Sequence, residues 1–215
     1  MPQTNTPTRI LDASEKLFSE EGLQGVSLRR ITKEADVNLA SIHYHFGSKE
    51  NLFRRVLERR IEPLNAERLE LLGTVESGGA QGVLSLEAVL EAFLAPAVRL
   101  RYNRSGTGAL FSALMGQIFQ NPDTEIRSLA TKMFREVSLR FLSALGRALP
   151  GRSEEERRWG FHLMFGTAAF ALSAPGSLIG DGNPLPDDPE EALARLVSFL
   201  AAGMRSHGPS QGEGA

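Results

Sequence analysis

The short segment between residues 40 and 44 has the clearest chemical potential in the sequence. Ala40, Ser41, His43 and Tyr44 provide a hydroxyl, an imidazole and a phenol, with almost no aliphatic bulk between them. These groups donate and accept hydrogen bonds, and they are small or flat enough to reach the edges of stacked bases. The same side chains would make a poor hydrophobic core. They therefore indicate a surface that contacts a polar partner such as duplex DNA.

A helix is needed to present this surface, and the neighbouring residues predict one. Ile42 and Phe46 are four residues apart, so in a helix both point inward together with Val37, and the polar set points outward. Asn38 is placed to cap this helix. Only one turn of chain separates this helix from the helical pattern that precedes it in the sequence.

The preceding segment reads as another short helix. Leu28, Ile31 and Ala35 form one apolar stripe, and Ser27 can cap the first turn with its hydroxyl. The residues Asp36–Asn38 end the pattern, since short polar side chains compete with the helical backbone for hydrogen bonds. Two short helices joined by a tight turn form a helix-turn-helix, in which the second helix lies in the major groove.

The chain from Thr8 to Ile61 resembles the TetR family of bacterial transcriptional regulators. Four segments in fixed order and spacing carry the resemblance: ILDASEKLFSEEG, VSLRRITKEA, NLASIHYHF and GSKENLF. It implies an all-α protein with a three-helix, helix-turn-helix DNA-binding head at residues 8–61. It further implies a larger helical domain, at residues 62–207, that binds a ligand and dimerises.

The resemblance and the helical geometry divide the expected DNA contacts into two groups. The residues expected to position the protein through phosphates are Ser27, Tyr44 and Lys49. The residues expected to face base edges are Asn38, Ala40, Ser41 and His43. Leu39 could pack inward or reach a thymine methyl group. Because Ala40 stands where many members have glycine, we expect the binding mode to follow the family but not the preferred base sequence.

The net charge of −2 conceals a local excess of positive charge. Between Ser27 and Arg60 there are eight basic and four acidic residues, a balance of +4 that leaves −6 for the remainder. The basic residues are Arg29, Arg30, Lys33, Lys49, Arg54, Arg55, Arg59 and Arg60. Such a patch suits phosphate binding, and we include Arg29 among the DNA contacts. The last four could equally be an ordinary solvated helix surface.

Other classes of protein find little support in the sequence. The 215 residues contain no cysteine, which excludes a disulfide scaffold and thiol catalysis. No hydrolase, metalloprotease, phosphate-binding or dinucleotide-binding fingerprint occurs, so we expect neither an enzyme nor a cofactor. His43 and His45 would lie about 200° apart on a helix and cannot share a metal ion. Without an apolar signal segment or membrane span, the expected location is the cytoplasm.

Apolar stripes of helical period predict several long helices. They are expected at residues 8–22, 49–72 with a bend at Pro63, 85–101, around 110–118, 123–149, from 153 onward, and 190–205. Ser153 and Glu156 have the spacing of a capping box. Residues 1–7 and 208–215 are small and polar, and we expect both tails to be disordered.

The helix from Ser153 is apolar almost all round, so it must be covered on more than one side. Together with the last helix it is our candidate for a homodimer interface, in keeping with the four-helix contact that the resemblance implies. A two-fold dimer would set two recognition helices about one turn of DNA apart. A palindromic operator is therefore expected.

Residues 85–172 are rich in Phe, Met and Leu, and the simplest interpretation of any one of them is plain core. The resemblance implies a cavity whose ligand alters the spacing of the DNA heads and so releases a repressor. With little fixed charge expected inside, a long apolar effector is favoured. The candidate lining residues are Phe93, Phe111, Leu114, Met115, Ile118, Phe134 and His162.

His162 alone on an apolar helix is more often a satisfied core histidine than a group that binds a carboxylate. The segments WGFHLMFGTAAFALS and FLAAGMR also resemble members of the family that respond to fatty acids or acyl-CoA. The alternative to a regulator is a sensor or carrier of small molecules that has this fold and does not act through DNA.

Overall fold

The computed structural model describes residues 5–79, 83–103, 124–173 and 185–206, with five separate helical residues at 108, 111, 114, 115 and 118. All regular structure in these residues is α-helical, as predicted. The helices are α1 Thr6–Gly25, α2 Leu28–Ala35, α3 Leu39–Phe46, α4 Lys49–Gly78, α5 Leu86–Tyr102, α6 Thr124–Ala148, α7 Glu154–Ser173 and α8 Pro189–Ser206. Among the helices described, none is long and apolar enough to cross a membrane.

The chain divides into two compact units. The first comprises Met1–Pro63 and Ser105–Met133, and the second comprises Leu64–Arg104 and Phe134–Ala215. The domain boundaries inferred from the sequence, 8–61 and 62–207, remain a prediction.

Helix α1 differs from its prediction at both ends. It begins at Thr6, two residues early, because Asn5 Oδ1 accepts the N–H of Thr8 at 3.1 Å and Pro7 suits the first turn. Gly22 leaves the helical conformation at φ 71°, where the sequence placed the end, but the helix resumes and ends at Gly25. The rest of the expected disordered tails, 1–4 and 208–215, lies outside the described residues.

Helix α4 runs six residues past its predicted end at Leu72 and contains Pro63 within it. The extension contains Glu76, whose carboxylate accepts hydrogen bonds from Arg140 at 2.8 Å and Arg147 at 3.2 Å. These contacts with α6 stabilise the helix in a segment that the sequence, because of its glycines, predicted to be a loop. The other long helices in the described residues begin and end within one residue of their predictions.

The core of the first unit is formed where α1, α2 and α3 pack together and α4 begins. Ile10 of α1, Ile31 of α2 and Ile42 of α3 are fully buried. The ring of Phe18 meets that of Phe53 edge-on at 5.2 Å. This core fixes the inner sides of α2 and α3 and leaves their outer sides exposed.

The core of the second unit is formed by α5, α7 and α8, which pack on one another, and by the second half of α6. The ring of Phe93 meets those of Phe141 and Phe161 edge-on at 5.1 and 5.6 Å. The predicted capping box at the start of α7 is confirmed, since Ser153 N–H donates to Glu156 at 2.7 Å and Glu156 N–H donates to the Ser153 hydroxyl at 3.2 Å.

Candidate nucleic-acid interface

Helix α2 is fixed by a cap at its N-terminal end and by the burial of its apolar side. The Ser27 hydroxyl accepts the N–H of Arg30 at 3.2 Å, which is the predicted N-cap, and Ile31 and Ala35 are buried. Arg29 and Lys33 are exposed and four residues apart, so they share one outer stripe of the helix. The helix thus presents two cations beside the turn that follows it.

The turn between α2 and α3 is tight and is fixed from α1. Asp36 takes the left-handed conformation at φ 49°, and the Val37 N–H donates to the Thr32 carbonyl at 3.0 Å. Arg9 Nη2 donates to the Asp36 carbonyl at 2.6 Å and to its carboxylate at 3.0 Å. Sequence reasoning missed Arg9, because a single cation in the first turn of α1 gives no sign of a partner 27 residues away.

Helix α3 begins at a double hydrogen bond. Asn38 Oδ1 accepts the backbone N–H of Ser41 at 2.8 Å and the Ser41 hydroxyl at 2.9 Å. Ile42 is fully buried and anchors the inner side. Asn38 is therefore the predicted cap, and its side-chain NH₂ and the lone pairs of the Ser41 hydroxyl remain available for a partner.

The outer side of α3 is open to solvent. Leu39, Ala40 and His43 are exposed, and Tyr44 is 85% exposed. The His43 ring nitrogen Nδ1 lies 3.0 Å from the Gly47 carbonyl. Because a carbonyl only accepts, this contact assigns the proton to Nδ1 and leaves Nε2 of a neutral ring as an acceptor. The surface offers a donor, an acceptor and a flat ring side by side.

Lys49, which was expected to contact a phosphate, forms hydrogen bonds within the protein. Its ammonium group donates to the Leu23 carbonyl at 2.9 Å and to the Val26 carbonyl at 3.1 Å. It thereby ties the end of α1 and the residue that follows it to the first turn of α4. Ser48 caps that turn by accepting the Asn51 N–H at 3.1 Å. Since an ammonium group has three N–H bonds, one remains for a phosphate, and that contact stays a prediction.

Most of the local positive charge is paired within the unit. Ion pairs of 2.6 to 3.4 Å join Arg30 to Glu21, Arg54 and Arg55 to Glu58, Arg59 to Asp12, and Arg60 to Glu15. Within the part of the chain that is described, Arg29 and Lys33 have no carboxylate within 4.0 Å. These two cations can respond most freely to phosphates.

The residues predicted to line an effector cavity are divided between the two units. The first unit holds Phe111, Leu114, Met115 and Ile118. In the second unit, Phe93 and Phe134 are buried, whereas His162 is exposed and its ring stacks on that of Trp159 at 6.0 Å. The expectation of a core histidine was wrong, because this side of α7 is not covered within the unit. A lining role for the seven residues remains a prediction.

Two stretches of the chain match known families. Residues 10–56 match the bacterial regulatory proteins of the tetR family. Residues 91–203, more than half of the chain, match the C-terminal domain of tetracyclin repressor-like proteins. The chain belongs to the TetR family. The resemblance noted in the sequence is thereby confirmed, as is the all-α fold with an N-terminal helix-turn-helix.

Curated relatives of this TetR-family chain are regulators and not enzymes, as expected. It is 26% identical over 153 residues to the transcriptional repressor BdcR of Escherichia coli K12, a match covering 71% of this chain and 72% of BdcR. It is 41% identical over 66 residues to the repressor NicS of Pseudomonas putida, covering 31% of each. The TetR-family chain is thus a DNA-binding regulator of transcription.

Solved structures of the family have the same fold. The regulator FadR from Bacillus subtilis, determined in complex with stearoyl-CoA, has a TM-score of 0.69 to this chain. The likeness covers 91% of this chain and 98% of FadR at 13% sequence identity. At that identity the likeness concerns the fold alone.

Proposed function

We propose that this TetR-family regulator represses transcription as a homodimer on a palindromic operator, and that a small, largely apolar effector releases it. The observation that carries the proposal is the outer side of α3, where polar and aromatic groups stand exposed on a helix whose inner side is buried. A helix of this kind can enter the major groove. A regulator of bacterial DNA would act in the cytoplasm.

The contacts divide as the geometry of the two helices suggests. In the proposal, phosphates are contacted by Ser27, Arg29, Tyr44 and Lys49. Base edges are contacted by Asn38, Ala40, Ser41 and His43, with Leu39 beside them. The Nε2 of His43 would accept a hydrogen bond from the amino group of an adenine or a cytosine. Repression itself is supported by the two relatives BdcR and NicS, which are repressors.

Dimerisation is proposed from an exposed apolar surface on α7 and α8. Trp159, Leu163 and Phe170 of α7 are exposed, and Phe199 of α8 is 70% exposed. The two helices pack closely, with the Met204 side chain lying over Gly160. Large apolar side chains gathered on one pair of helices mark an interaction surface. A second copy of the chain would cover them and give a four-helix contact.

The proposed effector class also has support. FadR of B. subtilis holds stearoyl-CoA, and the segments around α7 and the end of α8 resemble members that respond to such compounds. An effector releases DNA only if it binds more tightly to the DNA-free conformation, so the difference in affinity limits the response. A fatty acid or acyl-CoA is the version of the proposal to test first.

Selection of bound fragments from genomic DNA with the full-length protein tests the DNA-binding part. We expect one palindromic site, bound with an affinity that falls steeply between about 50 and 200 mM salt. The double variant H43A/Y44A should bind this site at least about tenfold more weakly. The matched control is Leu139→Ala, at an exposed helical residue outside α3 and outside the proposed dimer surface, which should bind as the wild type does. Recovery of no site, or an intact double variant, would favour a sensor that does not use DNA.

Sedimentation of the full-length protein tests the dimer. The wild type should be a dimer at micromolar concentration, and Phe199→Glu should be monomeric because it puts a charge into the interface. Leu139→Glu on α6 is the matched control, since Leu139 is also an exposed apolar residue and lies outside the proposed surface. A monomeric wild type, or equal behaviour of the two variants, would remove the dimer from the proposal.

A further inference from the structure

Arg68 of α4 is a cation enclosed in the second unit. The residue is 4% exposed, and its Nε donates to the Phe93 carbonyl at 2.9 Å. One Nη1 hydrogen is directed to Asn65 Oδ1 at 3.3 Å. The guanidinium carbon lies 4.0 Å from the centre of the Phe93 ring. All of these partners are neutral.

Arg68 forms no ion pair in the described structure, although the charge of the adjacent Glu67 partly offsets the effect of burial on its pKa. No carboxylate of the described residues forms an ion pair with it, and the adjacent Glu67 is paired with Arg99 instead. Burial lowers the pKa of Arg68 to about 9, so the group is still protonated near neutral pH. A buried charge without a partner is strongly unfavourable, and hydrogen bonds to neutral acceptors offset only part of that cost.

Part of the guanidinium is still free to bind. A guanidinium has five N–H groups, and acceptors are present for two of them. In the described residues no fully enclosed side-chain nitrogen or oxygen lacks a hydrogen-bond partner. The unbonded Nη2 of Arg68 must therefore remain reachable by solvent or by a ligand. The two terminal nitrogens form a planar fork that matches a carboxylate.

A purely structural role explains only one of these bonds. Pro96 lacks an N–H, so the Ala92 carbonyl loses its helical donor, and the Phe93 carbonyl lies next to this interruption. The Nε bond to Phe93 supports the backbone there. A neutral donor such as glutamine could do the same without the cost of a buried charge. The positive charge itself calls for another explanation.

We propose that Arg68 binds the acidic group of the effector, which is then a carboxylic acid with an apolar body. The ring of Phe93 under the guanidinium also meets the rings of Phe141, Phe161 and Phe165, so an apolar body next to the acid would find aromatic surroundings. This inference rests on the proposed effector function. It differs from the expectation of little fixed charge, which was drawn from residues 85–172 and stays a prediction for that stretch; Arg68 precedes it.

Titration of the full-length protein with matched acids and alcohols tests the inference. The probes are benzoate with benzyl alcohol and decanoate with decanol, measured by calorimetry and by the rise in Tm. At least one acid should bind about tenfold or more tightly than its alcohol, because charge-assisted hydrogen bonds exceed neutral ones. Arg68→Gln should abolish this preference, so that the acid and its alcohol bind with about equal affinity. Arg195→Gln, at an exposed arginine of the same unit that pairs with Glu191, should keep the preference.

Three results overturn the inference: equal binding of acid and alcohol, a preference that survives in Arg68→Gln, or no binding by either acid. If Arg68→Gln does not fold, Arg68→Lys keeps the charge and should retain part of the preference, and the wild-type comparison of acid with alcohol still decides. Operator binding without any ligand is measured in parallel. A protein that binds its operator but fails the acid test remains a regulator and loses only this inference.

Discussion

In the first unit the carboxylate of Glu15, whose side chain is 3% exposed, accepts hydrogen bonds from Arg60 at 2.6 and 2.8 Å. In the second unit the equally enclosed guanidinium of Arg68 meets, among the described residues, only a carbonyl, an amide and an aromatic ring. Both charges are largely enclosed, but among the described residues only Glu15 forms an ion pair. The first arrangement is complete without a ligand, and the second is not.

This difference agrees with the two tasks proposed for the units. A DNA-binding head must hold α2 and α3 in one orientation before DNA arrives, and paired buried charges favour a single arrangement. An effector site must instead prefer one conformation when its ligand is bound. A buried charge without an ion-pair partner can be neutralised by an acidic ligand, so binding of that ligand can strongly stabilise the conformation that holds it. Four changes test the comparison, beginning with the largest expected effect.

The substitution Glu15→Gln should reduce the free energy of unfolding by about 3 kcal/mol, since it leaves Arg60 partly buried without its charge partner. Urea denaturation followed by circular dichroism measures the change. Asp12→Asn is the control, because Asp12 pairs with Arg59 at an exposed position and should cost less than about 1 kcal/mol. Equal losses in the two variants would contradict the claim that the buried pair holds the head together.

The substitution Asn38→Ala should cost about 1 kcal/mol of stability and also weaken operator binding, because the start of α3 loses both bonds to Ser41. Ser85 caps α5 in the second unit through one longer bond of 3.3 Å to the Ala88 N–H. Ser85→Ala should therefore cost less and leave operator binding unchanged. If the two variants bind DNA equally well, the cap of α3 does not order the reading surface.

The substitution Arg68→Met should change stability by less than about 1 kcal/mol in either direction. It removes the bond to the Phe93 carbonyl, but it also removes a buried charge that has no partner. The same denaturation experiment compares it with Glu15→Gln. A loss as large as that of Glu15→Gln would mean that Arg68 is already compensated in the free protein, and the contrast between the units would disappear.

The sequence predicted the parts of the site that depend on neighbouring residues. The caps at Ser27, Asn38 and Ser153 were predictable because each bonds to a residue three positions away. The inner and outer sides of α3 followed from helical period. These features determine where the reading helix begins and which side faces outward.

Contacts between distant residues could not be predicted in the same way. The backbone carbonyls that accept hydrogen bonds from Arg9, Lys49 and Arg68 lie 23 to 27 residues away, and only packing brings them together. A surface lysine that contacts a phosphate and one that ties two helices look alike in sequence. The same limit applied to α4, where bonds from α6 to Glu76 extended the helix beyond the point that local composition indicated.

The exposed pair of Glu87 and Arg205, 2.8 Å apart, provides the smallest expected effect. The hydrogen bond from Arg205 is the main cause that lowers the pKa of Glu87 to about 2 from its ordinary 4.5. The pair thus contributes stability above pH 4.5 and loses it as the pH falls towards 2. Because both groups are solvated, Glu87→Gln should cost less than about 0.5 kcal/mol at pH 7.

The measurement is the difference in unfolding free energy between wild type and Glu87→Gln at pH 7, 4 and 3. It should start small and shrink further as the carboxylate is protonated. A difference above about 1 kcal/mol, or one that grows towards low pH, would show that pairing stabilises this protein even in water. Burial would then no longer determine how much an ion pair contributes to stability. The difference between Glu15 and Arg68 would have to be explained by the presence or absence of an ion pair alone.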